Sequence, residues 1–165
     1  MIYNVYGDVI NANDLELIDS SFGYRNEKGQ LIVNWDPESD IIDNNGFDKT
    51  NVEENGEYYM DIELPKGTIL IRYGRATGKM TAPYGTPYEL LSLPYKIETV
   101  EYHQYRVIAD GVKVKCVVRR GKVQKMFGKC GGGIQYMHDS SIANEIAEEK
   151  LEEDLSWIQK KTNDA

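Results

Sequence analysis

Hydrophobic and polar positions alternate most regularly between residues 58 and 64, where Tyr58, Met60, Ile62 and Leu64 interleave with Tyr59, Asp61 and Glu63. Period two is the mark of a strand with one face against a core. Pro65 and Gly67 end it, and Thr68–Tyr73, apolar in its middle, predicts a second strand closed by Gly74 and Gly78. Pro83, Gly85, Pro87 and Pro94 then mark a long irregular connection, the kind of segment that carries binding residues. A hairpin is predicted at Asp110-Gly111, because both central positions of a type I′ turn must accept positive φ. In that register His103, Tyr105 and Val107 share an apolar face with Val114, Cys116 and Val118, while Gln104 and Arg106 share a basic one with Lys113 and Lys115. His103 then points to the apolar side, either as a core histidine with one nitrogen satisfied or as a working residue. A third strand is predicted over Val123–Phe127, after a turn at Arg120-Gly121.

From Ser140 the period lengthens: Ile142, Ile146, Leu155 and Ile158 predict an amphipathic helix over 140–161, with Ser140 or Ser141 as N-cap and Lys160 and Lys161 near its end. The six acids from Glu145 to Asp154 read as its solvated face. The first 55 residues, rich in Asn, Asp and Gly around short apolar pieces (Leu15–Ile18, Leu31–Trp35), read as loops and short elements. A calcium loop starting at Asp43, with Asn45 third and Glu54 twelfth, is rejected. Asp48 stands where the sharp turn needs Gly, and Phe47 supplies no side-chain oxygen.

Composition narrows the classes. A chain of 165 residues buries roughly 70% of its extended surface on folding, enough for a core without staples. No apolar run reaches the ~18 residues of a membrane span, and the first residues lack the pattern of a secretory leader. Two cysteines and two histidines are too few for zinc without carboxylates, so no metal is expected; whether Cys116 and Cys130 pair stays open. The net charge of −8 divides into −12 over 1–64, +9 over 65–138 and −5 over 139–165. An acidic molecule has the wrong field to gather nucleic acid. The basic middle either builds a pocket for a compact anion or is neutralised by its acidic flanks.

The run Phe127 to Tyr136 contains three consecutive glycines, Gly131, Gly132 and Gly133. No Lys-Ser/Thr pair follows, so it is no P-loop, and no helix opens after it, so it is no dinucleotide fingerprint. It reads either as a tight strand-entry loop or as backbone that something bulky must approach. Taken in order, LPKGTILIRYG, GKMTAPYGTPYELLSLPY, YHQYRV and FGKCGGGIQY, over residues 64–137, resemble the tuberculosis necrotizing toxin (TNT) domain family of NAD⁺ glycohydrolases. Trp35 and Asn45-Gly46-Phe47 are similar to the entry segment of those domains.

The resemblance implies one α+β domain over residues 1–165: a twisted antiparallel β-sheet core enclosing a cleft for NAD⁺ or NADP⁺, an irregular N-terminal segment and a C-terminal amphipathic helix. It implies no metal and no cofactor beyond the dinucleotide substrate. Gln135 matches the glutamine on which the family's catalysis chiefly depends, Arg72 the motif arginine and His103 an assisting histidine. Tyr73 or Phe127 packs on a ring, Arg72 holds pyrophosphate, and Gly131, Gly132 and Gly133 admit the dinucleotide. Ile71, Leu91, Lys125-Met126 and Cys130 stand where the family has Asp, Arg, Pro-Trp and Pro; loss of the arginine either weakens phosphate binding or moves that role to Lys125, Lys129 or Arg75. A toxin module of a larger secreted protein, acting in the target-cell cytoplasm and blocked by a cognate immunity protein, is implied as well. An ADP-ribosyl cyclase, a protein ADP-ribosyltransferase and a catalytically silent binding module are the alternatives.

The chemistry suits these residues. Nicotinamide leaves as a neutral base from a cationic ring, so no proton need be delivered to it. What needs stabilising is an oxocarbenium-like ribose, which preorganised dipoles can supply. A neutral amide does this, its carbonyl facing developing positive charge or a ribose hydroxyl while its NH₂ donates elsewhere.

Overall fold

The computed structural model describes residues 15–33 and 46–158. Trp35, Asp43, Asn45, Lys160 and Lys161 lie outside them. In chain order the strands are β1 (Gly23–Arg25), β2 (Leu31–Val33), β3 (Tyr59–Leu64), β4 (Ile69–Tyr73), β5 (Met80–Pro83), β6 (Tyr102–Val107), β7 (Cys116–Lys122), β8 (Ile134–His138) and β9 (Leu151–Glu153), with helix α1 (Ile142–Ala147) between the last two. β1 and β2 form a separate hairpin. The other strands make one sheet in the order β3-β7-β8-β5-β4-β6-β9, antiparallel at every pairing. The architecture is α+β.

β5 is the pivot of this sheet. Its first residues pair with β8 (Met80↔Met137, Thr81↔Tyr136) and its last with β4 (Ala82↔Ile71, Pro83↔Leu70). The strand thus changes partners at Thr81-Ala82, so that β8 diverges from it at Gln135 and β4 at Arg72. The two halves still share one core: Leu64, Cys116, Val118 and Tyr136 from one meet Leu70, Tyr105, Val107 and Leu151 from the other, under Ile142 of α1. A second, smaller core joins Leu31 and Val33 of β2 to Tyr95, with Leu15, Leu17, Leu93, Val100 and Phe127 packed on it. The Asn-rich N-terminal segment is therefore not all loop.

Three expectations are corrected. β6 and β7 do not form a hairpin: β6 pairs with β4 and β9, and β7 with β3 and β8. Asp110-Gly111 does reverse the chain, with Asp110 Oδ1 accepting from the N–H of Val112, Lys113 and Val114 and Gly111 at φ 81°. The turn hands the chain from one half-sheet to the other, because Tyr105 and Val107 gain burial opposite Leu70 and Leu151. His103 accordingly does not face Val114 or Cys116.

Nor is there a turn at Arg120-Gly121 or a strand over Val123–Phe127. β7 runs through both residues, and a Cβ on Gly121 would lie 2.5 Å from the Phe47 ring, so the glycine marks a close approach of side chain to strand. Beyond it, Met126 and Lys129 bridge around Phe127 (φ 54°) and Gly128 (φ 72°), with Met126 N–H to Lys129 C=O at 3.1 Å and the reverse bond at 2.9 Å. The two-residue turn with positive φ at both centres occurs here.

The long C-terminal helix is likewise broken, into α1 and a second helical turn at 156–158 after β9. Ser141 caps α1 by accepting from Asn144 N–H, as expected, but the helix ends after six residues at Glu148, and Glu149 turns left-handed (φ 62°). Leu151 then enters the core on β9, pairing with Val107, while Leu155 and Ile158 are exposed. An open edge on β6 and a place for Leu151 outweighed helical periodicity. Glu145 and Asp154 are buried, so the acids are not one solvated face.

Candidate functional site

Pleating sorts the sheet's side chains onto two faces, because partners across a ladder point the same way and successive residues opposite ways. Tyr136, Thr81, Leu70 and Tyr105 face the main core; Arg72 and His103, which are paired with each other, belong to that same face. Gln135, Met80, Ala82, Ile71, Tyr73 and Tyr102 belong to the other. The structure therefore brings Gln135 and Tyr73 onto one face and sends Arg72 and His103 to the opposite one.

Gln135 pairs with Gly121 on β7, one residue past the last β8–β5 pair, and is half-buried. Its amide stands over Gly46, where an added Cβ would lie 3.8 Å from Oε1. Phe47 fills the space above Gly121, so the residues before β3 form the wall beside the amide.

Arg72 and His103 are engaged locally. Arg72 is buried, and its Nε and Nη1 donate to the carbonyls of Arg75 (2.7 Å) and Met80 (3.0 Å). Its Nη2 occupies the space a Cβ on Gly78 would need. The guanidinium thus shapes the turn between β4 and β5, a different use from clamping pyrophosphate. His103 lies between two carboxylates, with Glu153 Oε1 2.6 Å from Nδ1 and Glu101 Oε2 3.2 Å from Nε2.

On the Gln135 face, Tyr73 packs on Tyr102 (ring centroids 5.2 Å) and Tyr88 (4.6 Å), and Trp157 meets Tyr102 edge-on (5.1 Å). Burial raises the pKa of Tyr88 far above the ordinary phenol value, with its neighbours Tyr73, Glu89 and Glu98 adding to the shift, and its hydroxyl donates to Tyr95 C=O (2.7 Å). Three loops are stitched together here. Ser92, left-handed at φ 50°, donates its hydroxyl to Gln124 C=O; Gly133 N–H bonds Leu90 C=O; and Gly132 N–H bonds Val123 C=O. This stitching sets Lys129 Nζ over the Tyr88 ring at 4.2 Å.

The glycine run is explained by that packing. A Cβ on Gly131 would lie 2.5 Å from Gln124 C=O, and one on Gly133 3.0 Å from Leu90 C=O, whereas Gly132 (φ 90°) has open space. Phe127 packs edge-on against Phe22 (5.2 Å) and lies against the second core, so its ring closes the Lys129 turn. Cys116 and Cys130 are both free thiols. Of the basic middle, Arg119 meets Asp61, Arg120 meets Glu53, Arg106 meets Glu152 and Asp154, and Lys96 meets Glu16. The acidic flanks neutralise much of it. Sequence reasoning missed Tyr88, Tyr102, Glu89 and the carboxylates beside His103, and among them only the order of the PYELL block held any signal.

A split antiparallel sheet with an amide-bearing strand beside its pivot defines a compact α+β domain. The profile of the family described as tuberculosis necrotizing toxin matches residues 63–153, and the chain belongs to that family. The solved structure of tuberculosis necrotizing toxin complexed with its immunity factor is similar over 79% of this chain and 66% of that one, at 21% identity and a TM-score of 0.54, which shows a shared fold. Rhs1-CT with its cognate immunity protein RhsI1 aligns at 20% identity over 58% of this chain and 76% of that one, and Tse6 with Tsi6 at 21% over 64% and 78%, each with a TM-score of 0.42. No curated protein matches the chain. Among the described residues, no helix is long and apolar enough to cross a membrane.

Proposed function

We propose that this chain is the toxin module of a larger delivered protein and that it hydrolyses NAD⁺ at the nicotinamide–ribose bond. The observation that carries the reading is the family match over 63–153, which includes Gln135, together with the half-buried position of that amide on the face it shares with Tyr73. In this reading the C1′–N bond breaks with its electron pair going to nicotinamide, which leaves neutral. The Gln135 carbonyl steadies the ribosyl cation, water adds to C1′, and its proton passes to solvent. The half-buried rings of Tyr73 and Tyr102, backed by the buried Tyr88, offer an aromatic surface to the dinucleotide. Arg72 and His103 act from the other face as positioning residues, Arg72 through the turn after β4 and His103 through the β6–β9 edge.

A cognate immunity protein that covers this face belongs to the same proposal, as does action inside a target cell after secretion. The immunity factor in the tuberculosis necrotizing toxin complex motivates it. The decisive measurement is a chromatographic time course of the full chain with NAD⁺ and with NADP⁺, read for nicotinamide and ADP-ribose or its 2′-phosphate. Gln135→Ala is expected to lower turnover on the order of 10²-fold with an unchanged circular dichroism spectrum. Full turnover in that variant overturns the assignment of Gln135. No nicotinamide release by the wild type at catalytic enzyme levels overturns the activity.

A further inference from the structure

Lys129 is in an unusual electrostatic position. Its side chain is 8% exposed, and its Nζ is shut from solvent with no hydrogen-bond partner among the described residues. An ammonium has three donors and is costly to bury unpaired. Its surroundings are the Tyr88 ring face at 4.2 Å and, at 3.9 Å, the carboxylate of Glu89, a side chain that is 75% exposed. Burial accordingly lowers the pKa of Lys129, against the smaller opposing pull of Glu89.

The backbone holds the ammonium there at a cost. Lys129 follows a two-residue turn whose first centre, Phe127, is left-handed without being glycine, a strained conformation for an aromatic residue. The Phe127 ring is fixed in the second core, and the 88–91 turn beneath Lys129 is tied to Gly133, two residues before Gln135. The cation is thus built on the same stitched loops that lead into the candidate catalytic strand.

We propose that Lys129 Nζ binds a phosphate oxygen of the substrate's pyrophosphate, and that the Glu89 carboxylate stands in that anion's place until substrate displaces it into solvent. The proposal rests on the glycohydrolase reading for the identity of the anion. Glu89 is suited to the exchange because it is already mostly solvated, so leaving Lys129 requires little rearrangement. The aromatic floor orients the ammonium without neutralising it.

The test uses the full chain with inorganic pyrophosphate as calorimetric probe, alongside NAD⁺ kinetics, in wild type, Lys129→Met, Lys129→Arg and Glu89→Gln. Methionine keeps the stem over Tyr88, and thermal melts check folding. Lys129→Met is expected to weaken pyrophosphate binding and raise KM for NAD⁺ by about tenfold or more, with kcat nearly unchanged, as for loss of a charge-assisted bond. Lys129→Arg is expected to restore most of both, and Glu89→Gln to tighten both about threefold, since it removes the competing anion. NAD⁺ cleavage with KM unaltered in Lys129→Met overturns the phosphate subsite and leaves the activity standing. Lys129-dependent pyrophosphate binding without NAD⁺ cleavage supports the subsite and overturns the activity. Failure of the wild type to bind pyrophosphate, or weakening of both ligands by Glu89→Gln, overturns the exchange.

Discussion

Among the buried charged groups, Glu145 and Lys129 are treated differently. Beneath α1, Glu145 is 1% exposed, with its oxygens 3.3 Å from His138 Nδ1 and 3.3 Å from Lys150 Nζ. His138 is in turn 2.8 Å from the Thr81 hydroxyl through Nε2, and Lys150 also meets Glu148 at 3.2 Å. The contacts of Glu145 are ionic ones, without the alignment of good hydrogen bonds, yet every charge there has an opposite neighbour. On the other face Lys129 has a ring and one distant, mostly solvated carboxylate. A buried charge whose partners are complete holds the fold together: this one joins β8, β5, α1 and the entry to β9. A buried charge left incomplete is a place for something that is not part of the chain. Lys129 lies beside the loops that lead to Gln135, whereas Glu145 lies on the core side of the sheet.

The contrast is testable as stability. Glu145→Ala, which strands His138 and Lys150 in a buried site, is expected to cost about 3–5 kcal/mol in urea unfolding. A loss near zero would place Glu145 with Lys129 and erase the distinction. Acid should act on the same site. Burial pushes the Glu145 carboxyl up, but His138 and Lys150 outweigh it, and the net pKa is lowered. A carboxyl depressed in the folded state contributes stability that is complete above its unfolded value, roughly 4.3, and that fades as pH falls through the lower folded value. Asp154, bonded by Ser156 and beside Arg106, shifts the same way. Unfolding midpoints should therefore fall below about pH 4 in the wild type, and with a shallower slope in Glu145→Ala. Thr81→Val, which removes the hydroxyl facing His138 Nε2, should cost about 1–2 kcal/mol. Lys129→Met is expected to change stability least, by within about 0.5 kcal/mol or with a small gain, since the ammonium it removes has no hydrogen bond to lose. A large loss in that variant would make Lys129 a structural residue and remove its claim on a ligand.

Much of the frame was legible. β3, β4 and the long connection after β5 follow from period-two alternation and the placement of Pro and Gly, and Ser141 caps α1 as its sequence position indicates. Local chemistry carries these because burial on one face and a helix cap depend on residues a few positions apart. Strand partnership was not legible. Asp110-Gly111 has the residues of a hairpin turn, yet the strands it joins lie in different halves of the sheet. Phe127-Gly128, with no such signature at its first position, forms the tight turn because a distant Phe22 and the β2 hairpin hold the Phe127 ring. The helical stripe from Ile142 to Ile158 is interrupted for a similar reason, since Leu151 gained more by completing the edge of β6 than by continuing a helix.

The candidate site divides along the same line. The sequence by itself determined which residues are available: an amide at 135, a glycine run before it, an arginine in the Arg-Tyr-Gly block, a histidine at 103, a clustering of aromatics, and the acidic, basic and acidic segments. It also determined their faces within each strand, because the pleat has a fixed period. Only the tertiary structure decided which strands adjoin. That placed Arg72 and His103 behind the sheet from Gln135, turned the acidic flanks onto the arginines of the middle segment, and left Lys129 without an equal partner. Alternation is a property of consecutive residues, whereas neutralising or stranding a charge depends on which remote segment folds against it.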